Sequence, residues 1–179
     1  MGPPCSEVGV DGADGCTALT GANLSAMPDT ADRPPPATPT SSDPGGPAPT
    51  APMPPVAGTL IERMQITIDH VDAREARGSM PVEGNTQPYG LLHGGASAVL
   101  AETLGSYAAQ VHAGAGRAAV GVELSATHHR SARAGTVRGT ATALHLGRSL
   151  ATYQVVVEDA DGRRLCTARL TCMLVDATG

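Results

Sequence analysis

The sequence predicts an α+β domain, a curled antiparallel β-sheet wrapped around one long central helix. Three observations carry that expectation. Residues 94–113 form an apolar run of small residues whose one formally charged side chain is Glu102. After Gly116 the apolar residues recur at every second position through four successive stretches. Thirteen of the fifteen prolines fall before residue 56, which leaves 57–179 with the composition and size of one ordinary domain.

The elements follow in order. GTLIERMQ (58–65) has room for a short helical turn, and MQITIDHVD reads as a first strand. ARGSMPV (76–82) is a second strand, and EGNTQPYGLL (83–92) is loop by its Gly, Asn and Pro content. The run 94–113 allows a helix of about five turns. In AVGVELSATHHR, strict alternation would place Val120, Val122, Leu124, Ala126 and His128 on one face. It would place Gly121, Glu123, Ser125, Thr127 and His129 on the other. ARAG (132–135) reads as a turn, TVRGTATALHL (136–146) as a strand and GRS (147–149) as the next turn. LATYQVVVED, the hairpin signal DADG (159–162) and RRLCTARLTCMLV (163–175) complete the order β-β-α-β-β-β-β. Four consecutive strands with short connections predict an antiparallel meander. A sheet with one free face can bury a helix that has so little polar surface.

Residues 1–56, with RPPPATPTSSDPGGPAPTAPMPP, lack the large apolar residues needed to offset the entropy of ordering and read as a disordered Pro-rich tail. The tail has neither the basic start and apolar run of a secretory signal nor the Arg-rich, acid-poor character of a transit peptide. No stretch is long and apolar enough to span a membrane, so no membrane partner is expected and the cytoplasm is the expected location. Net charge is −5 and all twelve basic residues are Arg, with nothing to suggest a nucleic-acid surface. Cys5 and Cys16 fall in the tail. Cys166 and Cys172 fall on one face of one strand, about 20 Å apart, too distant to bridge and without zinc-site spacing. They read as small buried hydrophobes. DGADG (11–15) has half the pattern of a calcium loop but lacks its Glu. Phe and Trp are absent, so the core must be aliphatic, and Tyr89, Tyr107 and Tyr153 must do whatever aromatic work is needed.

Glu102 raises the functional question. In a buried helix an ionised carboxylate is costly unless it is paired or reaches an opening. A narrow wet stripe would explain it, and so would a reacting carboxylate. The absence of another charge between Gly94 and Ala113, and of a charged partner at Ala98 or Ser106, favours the second reading. His93-Gly94-Gly95 opens the helix. Two glycines there expose backbone N–H groups and let a ligand approach closely, and the helix dipole adds partial positive charge. That combination suits the oxygen of a reacting carbonyl; a flexible helix start is the plainer alternative.

His-Gly-Gly followed by Glu nine residues after the His, with Gln87 six residues before it, resembles the hotdog-fold acyl-CoA thioesterases. The similarity is greatest to the subgroup of 1,4-dihydroxy-2-naphthoyl-CoA hydrolases of menaquinone synthesis and the proofreading thioesterase of enterobactin synthesis. It is carried by QPYGLLHGGASAVLAETLGS, VGVELSATHHRSARAGTVRG, LHLGRS and RLTCMLV, and it spans nearly all of 58–176. The resemblance implies a catalytic carboxylate at Glu102, as nucleophile or as general base toward water. It implies that Gln87 positions the water or intermediate, that His93 orients and polarises, and that the Gly94 N–H donates to the oxyanion. Ser106 and His128 match acyl-pocket positions, and Arg130, Arg133 and Arg148 match positions that meet the CoA phosphates. Thr127 stands where close relatives often carry Asn, and His129 where an apolar residue is usual, a departure that bears on acyl selectivity.

The chemistry is self-sufficient. Thiolates leave readily, so one carboxylate and one helix N-terminus suffice, and no cofactor or metal is expected. The six histidines are scattered except for His128 and His129, which point to opposite strand faces, and HGGAS lacks the elbow of a serine hydrolase. The expected function is hydrolysis of an aromatic or bulky acyl-CoA, 1,4-dihydroxy-2-naphthoyl-CoA among the candidates. The alternatives are a non-catalytic acyl-CoA-binding or regulatory module, against which Gln87, His93 and Glu102 together argue, and enoyl-CoA hydration, for which no Asp–His pair is present. The resemblance also implies a homodimer or homotetramer whose active sites are shared between chains.

Overall fold

The computed structural model describes residues 55–177. The reading of residues 1–56 as a tail, with Cys5, Cys16 and DGADG, lies almost wholly outside the described residues. Helix α1 (Leu60–Arg63) is the expected single turn, followed by strands β1 (Thr67–Val71) and β2 (Glu75–Pro81). Helix α2 runs Gly94–Ala113, and strands β3 (Arg117–His128), β4 (Thr136–Leu146), β5 (Leu150–Glu158) and β6 (Arg164–Asp176) follow.

All six strands form one antiparallel sheet in the order β1-β2-β4-β5-β6-β3. The expected four-strand meander therefore holds only for β4-β5-β6. β3 lies at the far edge against β6, while β4 inserts beside β2. The segment 129–135 is the reason: it is a crossover rather than a tight turn. His129 N–H donates to Leu165 O on the β6 side, Leu92 N–H donates to Ala132 O, and Val82 N–H donates to Gly135 O on the β2 side. The crossover thus spans the end of the sheet where α2 begins.

The core lies between α2 and the inner sheet face. Leu100 and Leu104 are fully buried, and they pack over Gly78 and Gly139, which face each other across β2 and β4. A Cβ on Gly139 would lie 2.6 Å from Leu104 Cδ1 and 3.3 Å from Leu100 Cδ2. A Cβ on Gly105 of the helix would lie 2.6 Å from Leu170 Cδ2 of β6. Small residues on both partners let helix and sheet approach closely, so leucine side chains fill the space an aromatic core would need. Tyr153, the largest fully buried side chain, donates its hydroxyl to Ala73 O at 2.9 Å, and burial pushes its phenol pKa up. Cys166 and Cys172 are buried free thiols, as expected of small hydrophobes.

Strand β3 departs from simple alternation. Its register against β6 slips between Gly121 and Glu123. Ala126 and Leu124 pair with the inward Ala168 and Leu170, but the next inward pair is Gly121–Cys172. Val120 instead pairs with the exposed Met173 on the outer face. Alternation alone had put Val120 with Leu124 and Gly121 with Glu123; the bulge exchanges them. His128 and His129 do lie on opposite faces: His128 pairs with the buried Cys166, and His129 Nε2 lies 3.0 Å from Thr167 Oγ1.

Candidate active site

The loop before α2 is pinned from several sides. Asn85, nearly buried, donates its amide to Met64 O and Pro81 O at 3.0 and 2.9 Å, and its own carbonyl accepts from His93 N–H. Asn85 went unnoticed in the sequence because a loop asparagine normally reads as turn chemistry; only its contacts show it fixing the helix start. Gln87 opens a tight turn closed by Gly90, whose φ of +72° suits glycine. Gln87 Oε1 accepts from Tyr89 N–H at 2.7 Å, which leaves the amide NH2 of Gln87 as a donor.

His93 caps α2 with extended backbone geometry, and its Nδ1 accepts from Gly95 N–H at 2.8 Å. With Nδ1 an acceptor, the neutral ring carries its proton on Nε2. The sequence suggested that both glycines offer free N–H groups. His93 engages that of Gly95 through its side chain and that of Ala96 through its carbonyl. Gly94 N–H has no partner among the described residues. It sits at the positive end of a twenty-residue helix. The His128 ring lies so close that a Cβ on Gly94 would fall 2.8 Å from Nε2, so any side chain here would push the ring aside. Gln87, Gly94, Ser97, His128 and Arg130 line one depression of about 360 Å³.

Glu102 lies elsewhere on the helix, on an exposed face. The expectation of a mostly buried charge does not hold for the single chain, because α2 presents its sheet-facing side to the core and leaves Val99, Glu102, Thr103 and Ser106 along an open side. These residues, with Leu60 and Tyr107, line a largely apolar cavity of about 440 Å³. Burial pushes the Tyr107 phenol up, so it stays neutral. Beneath the cavity, burial pushes the Cys172 thiol up, Ser106 draws it down and the Glu102 charge adds to the rise, leaving a protonated thiol.

The chain thus brings Gln87, Gly94, His128 and Arg130 together, places His93 at the same helix end, and puts Glu102 and Ser106 in a separate cavity. Gly94 and Glu102 are eight residues apart, about 12 Å along the axis. Arg133 is exposed in the crossover. Arg148 is exposed in the β4–β5 turn beside the helix C-terminal end, where His112 Nε2 lies 2.9 Å from Gly147 O. It stands at the opposite end of α2 from Arg130 and Arg133. Among the described residues, no cluster of three His, Cys, Asp or Glu is placed to hold a metal ion, and no helix is long and apolar enough to cross a membrane.

A curled antiparallel sheet around one long central helix defines the hotdog fold. Residues 89–166 match the family model of the thioesterase superfamily. The proofreading thioesterase EntH of Cronobacter sakazakii is 45% identical over 119 residues, covering 66% of this chain and 87% of that protein. EntH of Klebsiella pneumoniae is 49% identical over 113 residues, covering 63% and 82%. Among solved structures, a thioesterase from Haemophilus influenzae superimposes with a TM-score of 0.66 at 31% identity, covering 69% of this chain and 87% of its own. A mutant thioesterase from Pseudomonas aeruginosa gives 0.65 at 37% identity, covering 68% and 88%. The chain belongs to the thioesterase superfamily, and it is a thioester hydrolase of the hotdog fold.

Proposed function

We propose that the protein hydrolyses acyl-CoA thioesters with an aromatic or similarly bulky acyl group, using Glu102 as nucleophile or general base. The observation that carries this reading is the single carboxylate on the wall of an otherwise largely apolar cavity wide enough for a ring. The acyl group lies against Val99, Ser106 and Tyr107. The thioester oxygen is held by the Gly94 N–H, whose hydrogen bond strengthens as the oxygen becomes an oxyanion. His93 Nε2–H and the Gln87 amide supply further donors for the carbonyl and the attacking water. His128 flanks the acyl group, while Arg130, Arg133 and Arg148 meet the CoA phosphates. The thiolate departs without needing a strong acid.

The separation of Gly94 from Glu102 supports a site shared by two copies. A donor and a nucleophile that serve one carbonyl each approach to about 3 Å. One helix cannot offer both across about 12 Å, whereas a two-fold partner can. Such a partner is also what the remote Arg148 needs in order to join Arg130 and Arg133 at one CoA. β3, a twelve-residue strand with one open edge and exposed Val120 and Val122, suits pairing with a second copy. Homodimers of this kind can pair again into tetramers. Two of the relatives are named as proofreading thioesterases; 1,4-dihydroxy-2-naphthoyl-CoA is the quinone-pathway candidate for the cavity.

The test is thiol release from benzoyl-CoA, 1,4-dihydroxy-2-naphthoyl-CoA and lauroyl-CoA, with Glu102→Gln as control. Higher kcat/KM for the two aryl thioesters, abolished by Glu102→Gln, is expected. A preference for the lauroyl thioester would reject the aryl assignment, and an active Glu102→Gln would reject the role of the carboxylate.

A further inference from the structure

We propose that Gly121 is a positioning residue for the reaction, the space left by its missing side chain lying next to the Glu102 carboxylate. The inference builds on the reading of Glu102 as the reacting carboxylate. A glycine inside a strand weakens it and calls for a physical reason. Backbone conformation does not supply one, because Gly121 lacks the positive φ found at Gly114 and Gly116. The reason lies on the inner face. A Cβ on Gly121 would meet Glu102 Oε1 at 3.4 Å and Leu170 Cδ1 at 3.7 Å, with no other atom within 4 Å. The carboxylate is therefore the one polar group lying over this glycine.

The bulge strengthens the argument. If β3 continued its inward alternation from Ala126 and Leu124, Val122 would come next. Its branched side chain would then occupy the space taken by the carboxylate. The slip between Gly121 and Glu123 leaves Val122 unpaired and half exposed, and brings Gly121 opposite the buried Cys172. The bulge and the glycine thus clear the same spot, and bulges commonly re-aim strands beside active sites. Together they keep side-chain atoms of β3 away from the carboxylate and leave it exposed. The other titratable groups facing it are Tyr107 in the same cavity and Cys172 beneath.

Three substitutions in the full chain test this, read by benzoyl-CoA hydrolysis across pH together with melting temperature. A contact at 3.4 Å is ordinary, so Gly121→Ala should fold with an equal or higher Tm. Its methyl removes water from one side of the carboxylate. We expect kcat to fall about tenfold with KM within about twofold, and the acid limb of the kcat profile to move up. Gly121→Ser adds a donor beside the charged form, so its acid limb should move down. Gly121→Val fills the space outright and should cost about a hundredfold or more in kcat. Opposite movements of the limb are not what a purely structural role produces. Unchanged kcat and unchanged limbs in the Ala and Ser variants would overturn the inference. So would a raised KM with kcat kept, since the glycine would then make room for substrate. The Ala and Ser pair decides the matter even if Gly121→Val fails to fold. An active Glu102→Gln would remove the premise itself, whatever the Gly121 variants show.

Discussion

At the scale of single residues, a lone charge is easy to read and an empty place is not. Glu102 stood out because nothing else in twenty helical positions is formally charged. Gly121 did not, because its meaning depends on a bulge that alternation cannot reveal. Asn85 is similar: its two carbonyl partners come from positions four and twenty-one residues earlier. Glu102→Ala should lower kcat by at least about a thousandfold, as expected for a nucleophile or principal base. Glu102→Gln should be equally inactive. Since the carboxylate is exposed in the chain, neither change should alter unfolding free energy by more than about 0.5 kcal/mol. A large loss of stability would place Glu102 in the fold instead. Arg130 donates to Arg164 O at 3.0 Å but is otherwise exposed beside the Gln87 depression. Arg130→Ala should raise KM for CoA thioesters more than it lowers kcat, because phosphate binding is largely uniform between ground and transition states. With N-acetylcysteamine thioesters, which lack the nucleotide, the effect should shrink. An equal effect on both substrates would assign Arg130 to structure or chemistry.

At the scale of elements, periodicity was a good guide wherever the chain obeys one period. The bounds of α2 and β4 are those read from the run 94–113 and from TVRGTATALHL. It failed at ARAG (132–135), which reads as a turn. Backbone bonds to both sides of the sheet reveal the crossover, and pairing partners are a tertiary property. The β1–β2 hairpin shows what a short polar turn contributes. Asp72 Oδ1 accepts from the N–H groups of Arg74 and Glu75 at 2.6 and 2.8 Å, and Oδ2 lies 3.0 Å from His70 Nε2. Burial pushes the Asp72 carboxyl up, but these donors outweigh it and hold the group below the usual range. A carboxyl lowered in the folded state adds stability above its unfolded pKa of about 3.9. That contribution is lost as pH falls through the lower folded value. Asp72→Ala should therefore cost about 1 kcal/mol at pH 7, the side chain being half exposed. The gap between wild type and variant should narrow below about pH 4. Denaturant titrations at pH 7 and pH 3 check this; a gap that widens in acid would reverse the sign and reject the account.

At the scale of the whole molecule, the described chain looks unfinished as a catalyst. Its candidate carboxylate and its free helix-start N–H lie in different cavities, and a long strand edge is open. Sequence reasoning raised a shared site only through resemblance, since no pattern within one chain encodes what a second copy would supply. A two-fold dimer resolves both features, and its consequence is quantitative. Let Glu102 of one copy work with Gln87 and Gly94 of its mate, so that each dimer has two equivalent sites. Glu102→Ala and Gln87→Ala should each be impaired alone. When the two are co-refolded in equal amounts with random pairing, about half the dimers are mixed. Each mixed dimer then has one site with both lesions and one with neither. Activity should rise to about a quarter of wild type if sites act independently. If every site lay within one chain, each site in a mixed dimer would carry one lesion, and activity would stay at the average of the two parents. Mass-tagging one variant verifies that mixed dimers form. Mixed dimers without recovery would reject the shared site and leave the thioester hydrolase standing, with Gly94 and Glu102 then requiring a rearrangement of the helix start to meet on one carbonyl.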